Sequence, residues 1–182
     1  AGQIQGFFDI PTDNLFAAPV FIEDIKKRFD RDNLIIVSPD VGGVVRARAI
    51  AKRVDCELAI IDKRREKAGI SEVMNVIGEV KNKNCILVDD ICDTAGTLTN
   101  AASALKKNGA KSIFSYITHG VLSKPAIERI EASKIDKIII TDSILATDEV
   151  KHSQKIEQLS IASLIGEAIG RITENKSVSS LF

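Results

Sequence analysis

Cys85-Ile86-Leu87-Val88-Asp89-Asp90-Ile91-Cys92-Asp93-Thr94-Ala95-Gly96-Thr97-Leu98 decides the reading of this chain. An apolar strand ends in two adjacent carboxylates, Asp89 and Asp90. A short loop of hydroxyl residues, alanine and glycine follows, from Asp93 through Thr97, and a helical pattern then begins. The loop has no bulky side chains, so its backbone N–H groups can face a phosphate, and the positive end of the helix points to the same place. Carboxylates just before such a cradle suit the hydroxyls of a sugar or a magnesium ion. The implied ligand is a phosphorylated sugar. Aspartates at strand ends also cap helices, and Thr-Ala-Gly-Thr is compatible with an ordinary turn. Strand, acidic pair, hydroxyl/glycine loop and helix in this order favour the ligand cradle.

Bulk properties narrow the class. The 182 residues can bury one good core, so one folded domain is expected. Charge is balanced, 25 Lys and Arg against 25 Asp and Glu, which gives no global attraction to nucleic acid or acidic membranes. No apolar run has the length of a bilayer span, and the N-terminus shows no signal-peptide pattern. Cys56, Cys85 and Cys92 lack C-x-x-C spacing, so neither a disulfide framework nor a zinc site is indicated, and a reducing cytoplasm is expected. His119 and His152 form no paired-ligand pattern and read as structural or solvated.

Strand-like and helix-like segments alternate outward from the central stretch. Leu34 to Ser38, Leu58 to Ile61, Ser112 to Thr118 and Lys137 to Thr141 read as strands beside Ile86 to Val88. Val44 to Val54 and Lys124 to Ala132 read as helices. Leu98, Ala101, Ala102 and Leu105 make a helical stripe that stops at Asn108-Gly109. Leu164, Ile165, Ala168, Ile169 and Ile172 mark a last amphipathic helix, after a loop running through Lys155. Glu72 to Lys81 breaks the pattern and is read as a small antiparallel hairpin beside the sheet. The alternation predicts a doubly wound α/β domain with a mainly parallel sheet.

Three further stretches stand out. Ser38-Pro39-Asp40-Val41-Gly42-Gly43-Val44-Val45-Arg46-Ala47-Arg48 joins a strand to a helix at the strand's carboxyl end, where ligands bind in open α/β sheets. Gly42 and Gly43 allow an anion nest, Asp40 can hold Mg²⁺ directly or through water, and Arg46 and Arg48 are candidates for phosphate contacts. Asp62-Lys63-Arg64-Arg65 follows the next strand, placed to stabilise charge on a transferring group. Gly69 and its charged neighbours read as a mobile lid. The N-terminal run from Gln3 to Asp13 has no function derivable from its residues alone.

Together these four stretches resemble the ribose-phosphate pyrophosphokinases, the synthetases of phosphoribosyl pyrophosphate (PRPP). The shared features are the Ser-Pro-Asp-x-Gly-Gly loop, the Asp-Lys-Arg-Arg loop, the Asp-Asp-x-x-Asp-Thr-x-Gly-Thr motif and the closing Ser-Val-Ser-x-Leu-Phe. The resemblance implies a phosphoribosyltransferase-type sheet with flanking helices and Mg²⁺-dependent formation of PRPP and AMP from ATP and ribose 5-phosphate. It implies that Asp89 and Asp90 contact the ribose hydroxyls, with Asp89 also near Mg²⁺. Asp93, Thr94, Ala95, Gly96 and Thr97 would hold the 5-phosphate. Asp40, with Gly42 and Gly43, would form the pyrophosphate loop and bind Mg²⁺, and Lys63 and Arg65 would stabilise the transition state. Asp9 and Asp13 match acidic positions of the family's proposed cation-binding stretch.

The family has two similar domains, and this chain resembles the carboxyl-terminal one. Residues 1–18 are then expected to be a linker, residues 19–176 the phosphoribosyltransferase-like domain, and residues 177–182 a tail packing on another domain or a partner. The Asp-x-His that precedes Gln-Ile-Gln-Gly-Phe-Phe in the family is missing before Ala1-Gly2, so little pyrophosphokinase activity and an incomplete ATP site are expected of this chain alone. Ile4, Phe7, Phe8, Leu181 and Phe182 are expected to form or flank an apolar surface, and a homo-oligomer is expected. Competing readings are a single-domain phosphoribosyltransferase that consumes PRPP and a non-catalytic PRPP-binding regulator.

Overall fold

The computed structural model describes residues 2–64 and 73–181. After a short 3-10 turn at Gly2–Gly6, the chain runs through helix α1 (Ala18–Arg28), strand β1 (Leu34–Ser38), helix α2 (Val44–Val54) and strand β2 (Glu57–Arg64). Strand β3 (Val73–Ile77), strand β4 (Asn84–Cys92), helix α3 (Gly96–Lys107) and strand β5 (Ser112–Gly120) follow. Helix α4 (Ala126–Ala132), strand β6 (Lys137–Thr141), the short helix α5 (Asp148–His152), strand β7 (Ile156–Leu159) and helix α6 (Ala162–Thr173) complete the described regular elements, with a 3-10 turn at Ser179–Leu181.

The seven strands form one sheet in the order β3-β2-β1-β4-β5-β6-β7. Only the β2–β3 pairing is antiparallel, with Ile60 opposite Ile77 and Lys63 opposite Met74. The other five pairings are parallel. The expected doubly wound sheet is therefore present. The segment read as a separate hairpin is instead an edge strand of the same sheet.

The side-chain pattern explains the layers. All five residues of β1 are buried, as a central parallel strand covered on both faces requires. Ile35, Val37, Cys85 and Leu87 point to one face, with Leu98, Ala101, Ala102 and Leu105 of α3. Leu34, Ile36, Ile86 and Val88 point to the other, with Phe21 and Ile25 of α1 and Ala47, Ile50, Ala51 and Val54 of α2. Gly109, at φ +85°, takes the chain out of α3 in the left-handed region that glycine adopts freely.

The structure departs from the sequence expectation in three places. Helix α1 begins with a proline in its first turn and buries Phe21, Ile22 and Ile25. The Phe21 ring meets Tyr116 edge-on, with centroids 5.4 Å apart. Burying a phenylalanine contributes roughly 1.5–3 kcal/mol, enough to draw this segment onto the sheet. Strand β7 and helix α5 replace what reads as irregular chain after Thr141. Polar Glu157 and Gln158 hide the strand pattern; Glu157 accepts from Arg28 Nη1 at 3.1 Å, and Arg28 Nε pairs with Asp24 at 2.7 Å. Hydrogen bonding to Arg28 holds the Glu157 carboxyl below the usual carboxylate range. Tyr116, fully buried, donates to the same Asp24 at 2.7 Å, so α1 is tied both to the sheet edge and to β5. The third departure is the length of β4, which matters for the site.

Candidate functional site

In sequence order the chain goes from β1 to β2 on one side, then returns to lay β4 on the other side of β1. That reversal makes a topological switch point between β1 and β4, the place where doubly wound sheets open a ligand crevice. The loops leaving these two strands are the two glycine-containing loops singled out in the sequence.

The loop after β1 is braced from within. Ser38 Oγ donates to the Asp40 carbonyl at 2.7 Å, and the Gly43 N–H donates to Asp40 Oδ1 at 2.9 Å. A Cβ on Gly43 would stand 2.8 Å from Ser38 Oγ, so the close approach of the loop to the strand end requires glycine there. A Cβ on Gly42 would stand 3.3 Å from Asp40 Oδ1. Asp40 thus shapes the loop with one oxygen.

Strand β4 does not end at the acidic pair. It runs through Asp89 and Asp90 to Cys92, because β5 continues beside it, Asp89 facing Ile117 and Cys92 facing Gly120. The pair is therefore held on a ladder of strand hydrogen bonds rather than in a loop. Arg46, in the first turn of α2, spans both carboxylates: Nη1 to Asp89 Oδ1 at 2.8 Å and Nη2 to Asp90 Oδ2 at 2.6 Å. Arg46, a candidate phosphate contact by its place in the sequence, here neutralises two adjacent negative charges across the switch point. Arg48, two residues on, is exposed and does not share that face of the helix. Burial pushes the Asp89 carboxyl above its usual range, the nearby Asp90 charge adds to this, and the Asp90 N–H and Arg46 oppose it. Asp89 is thus partly removed from water and adjacent to a second carboxylate, with Arg46 paired to both.

The cradle follows directly. Ala95 adopts the left-handed conformation, φ +61° and ψ 4°, and is nearly fully buried. Ala95 thus sets the left-handed turn that leads into α3. Burial pushes the Cys92 thiol up to about 11, which keeps it protonated and inert near neutral pH. Helix α3 starts at Gly96 with no side-chain cap. Its first N–H groups are left for an external acceptor, and the helix dipole favours an anion at that point. Asp93 and Thr94 are exposed, and Gly96 and Thr97 are partly so. One contact was invisible in the sequence: Arg129 Nη1 of α4 donates to the Thr94 carbonyl at 3.0 Å.

Lys63 stands near the carboxyl end of β2. Arg65 and the lid residue Gly69 lie outside the described residues. Asp9 and Asp13 are exposed in the segment before α1. Among the described residues no group of three or more His, Cys, Asp or Glu side chains could hold a metal ion unaided. Asp40, Asp89 and Asp90 are hard oxygen donors, suited to a divalent cation that brings phosphate oxygens with it. His119 Nδ1 lies 2.9 Å from Ser143 Oγ, in keeping with a structural histidine. No helix among the described residues is long and apolar enough to cross a membrane.

This arrangement defines a phosphoribosyltransferase-type α/β domain, and comparison with solved structures agrees. The chain superposes on phosphoribosylpyrophosphate synthetase from Mycobacterium smegmatis with a TM-score of 0.86 and 37% identity, over 96% of this chain and 56% of that one. A purine phosphoribosyltransferase from Pyrococcus horikoshii matches 59% of this chain and 73% of its own, with a TM-score of 0.50 and 27% identity. The family model of the phosphoribosyl synthetase-associated domain matches residues 66–182, and the chain belongs to that family. It is 63% identical over all 182 residues to the ribose-phosphate pyrophosphokinase of Granulibacter bethesdensis, of whose length it spans 59%.

Proposed function

We propose that this chain carries the ribose 5-phosphate and PRPP site of a Mg²⁺-dependent ribose-phosphate pyrophosphokinase, which converts ATP and ribose 5-phosphate to AMP and PRPP. The observation that carries the reading is the joining, at the switch point, of the acidic pair on β4 to the uncapped start of α3. Asp89 and Asp90 accept from the ribose hydroxyls. The backbone of the Asp93 to Thr97 loop and the Thr94 and Thr97 hydroxyls hold the 5-phosphate. Gly42 and Gly43 leave room for the pyrophosphate that the sugar acquires. The 63% identity to a pyrophosphokinase, rather than the 27% to a purine phosphoribosyltransferase, favours a synthetase over an enzyme that consumes PRPP.

In the proposed reaction the 1-hydroxyl oxygen attacks the β-phosphorus of ATP. The bond from that phosphorus to the oxygen bridging to the α-phosphate breaks, AMP leaves with the electron pair, and the hydroxyl proton is released. Positioning and cationic clamps supply most of the acceleration in such transfers. Lys63 and Arg65 would offset charge growing on the transferring group. Mg²⁺, held through Asp89 and Asp40, would supply charge neutralisation at the phosphate oxygens. The free thiols Cys56, Cys85 and Cys92 fit a reducing cytoplasm. Exposed Phe7, Phe8 and Ile10 fit a homo-oligomer or packing on another domain.

Calorimetric titration with ribose 5-phosphate in Mg²⁺ tests the site. Thr94→Ala is expected to weaken binding by about 1–2 kcal/mol, the scale of one hydrogen bond to a charged group. Unchanged affinity counts against the cradle. Pyrophosphate release on adding PRPP and a nucleobase would instead assign the chain to the phosphoribosyltransferases.

A further inference from the structure

Helix α3 obeys the dipole rule at its far end, where Lys106 and Lys107 occupy the last turn. It breaks the rule at its start. Arg129 of α4 reaches Thr94 there, and its Nη1 lies 3.8 Å from the point where a Cβ on Gly96 would stand. A guanidinium beside the positive end of a helix is electrostatically unfavourable. Nor is its charge balanced: among the described residues no carboxylate forms an ion pair with Arg129. One of its five N–H donors meets the Thr94 carbonyl, and the group is otherwise exposed. The placement is held firmly, because Ala126 and Ile130, which flank Arg129 on α4, are fully buried.

Two cationic features, the start of α3 and Arg129, thus meet at one loop. A phosphate seated against Gly96 and Thr97 removes the conflict and turns both into attraction. The Thr94 carbonyl is meanwhile held by Arg129. Because the peptide unit is rigid and planar, that hold restricts the orientation of the Thr94–Ala95 peptide that leads into Gly96.

We propose that Arg129 is a positioning residue of the sugar-phosphate cradle, holding the Thr94 carbonyl in place and supplying positive charge to the bound 5-phosphate. The inference rests on the reading of the Asp93 to Thr97 loop as a phosphate site. It adds to that site a residue 35 positions downstream of Thr94, on a different helix.

The test is titration of the 182-residue chain with ribose 5-phosphate in Mg²⁺ at two ionic strengths, on wild type, Arg129→Gln and Arg129→Lys. Glutamine keeps an N–H donor for the carbonyl and loses the charge. Lysine keeps the charge. Arg129→Gln is expected to raise Kd about tenfold and to flatten the salt dependence, with the ligand-free melting temperature unchanged. Arg129→Lys is expected to stay within about threefold of wild type and to keep the salt dependence. An Arg129→Gln chain with wild-type affinity and salt dependence overturns the role of Arg129 and leaves the phosphate site standing. Equal loss of binding in both variants, with lower melting temperatures, assigns Arg129 to loop structure alone and also overturns it. A wild-type chain that binds no ribose 5-phosphate overturns the site itself, and the role of Arg129 falls with it.

Discussion

Replacing both acidic residues, Asp89→Asn with Asp90→Asn, is expected to raise the Kd for ribose 5-phosphate by about a hundredfold or more. Each carboxylate that accepts a sugar hydroxyl contributes a hydrogen bond to a charged group, about 1.5–3 kcal/mol. Two of them make about 3–6 kcal/mol, and each 1.4 kcal/mol is a factor of ten. The fold should survive. Asn fits the same space, and the swap removes a half-buried carboxylate whose ionisation the site already opposes. Arg46 loses both partners, but about a third of its side chain faces water, so it can be resolvated. Calorimetry alongside a thermal melt separates the effects. Affinity within threefold of wild type would show that the pair does not meet the sugar.

Gly78→Val is expected to be the most damaging single change to stability. Gly78 sits at φ +123°, a conformation side chains rarely adopt, and a Cβ there would lie 2.8 Å from the Ala59 Cβ and 3.0 Å from its Cα. Ala59 is fully buried in β2 and paired with Val37 of β1, so neither neighbour can yield without moving the sheet. Backbone strain of about 1–3 kcal/mol and overpacking of similar size together give about 3–5 kcal/mol. Domains of this kind hold only about 5–15 kcal/mol in total. The urea midpoint reads the loss directly. A cost below about 1 kcal/mol would mean that the β3–β4 turn relaxes freely. Because β2 carries Lys63 near its end, the same change should also degrade the site.

What the sequence made legible was local. Buried parallel strands announce themselves as apolar runs, and β1 and the first half of β4 are such runs. The cradle was legible because strand, carboxylates, loop and helix follow one another within 14 residues. What stayed hidden depends on partners distant in the chain. Strand β4 extends past its apolar stretch because β5 lies beside it, with Asp89 and the exposed Ile91 still paired to it. Arg46 meets Asp89 across 43 residues of sequence, and periodicity says nothing about such a pairing. Helix α1 was hidden because its recognisable features, a proline and three apolar positions, become a helix only against Tyr116 and the sheet. Polar β7 is a strand because β6 supplies its partner.

Backbone amide NMR of the ¹⁵N-labelled chain, titrated with ribose 5-phosphate and separately with ribose, decides whether the loop into α3 binds a sugar phosphate. Saturable shifts of the Gly96 and Thr97 amides are expected with ribose 5-phosphate, accompanied by Asp89 and Asp90, and no shift of Gly96 and Thr97 with ribose. Shifts confined to other parts of the sheet, or the same shifts with ribose as with its 5-phosphate, would contradict the sugar-phosphate site.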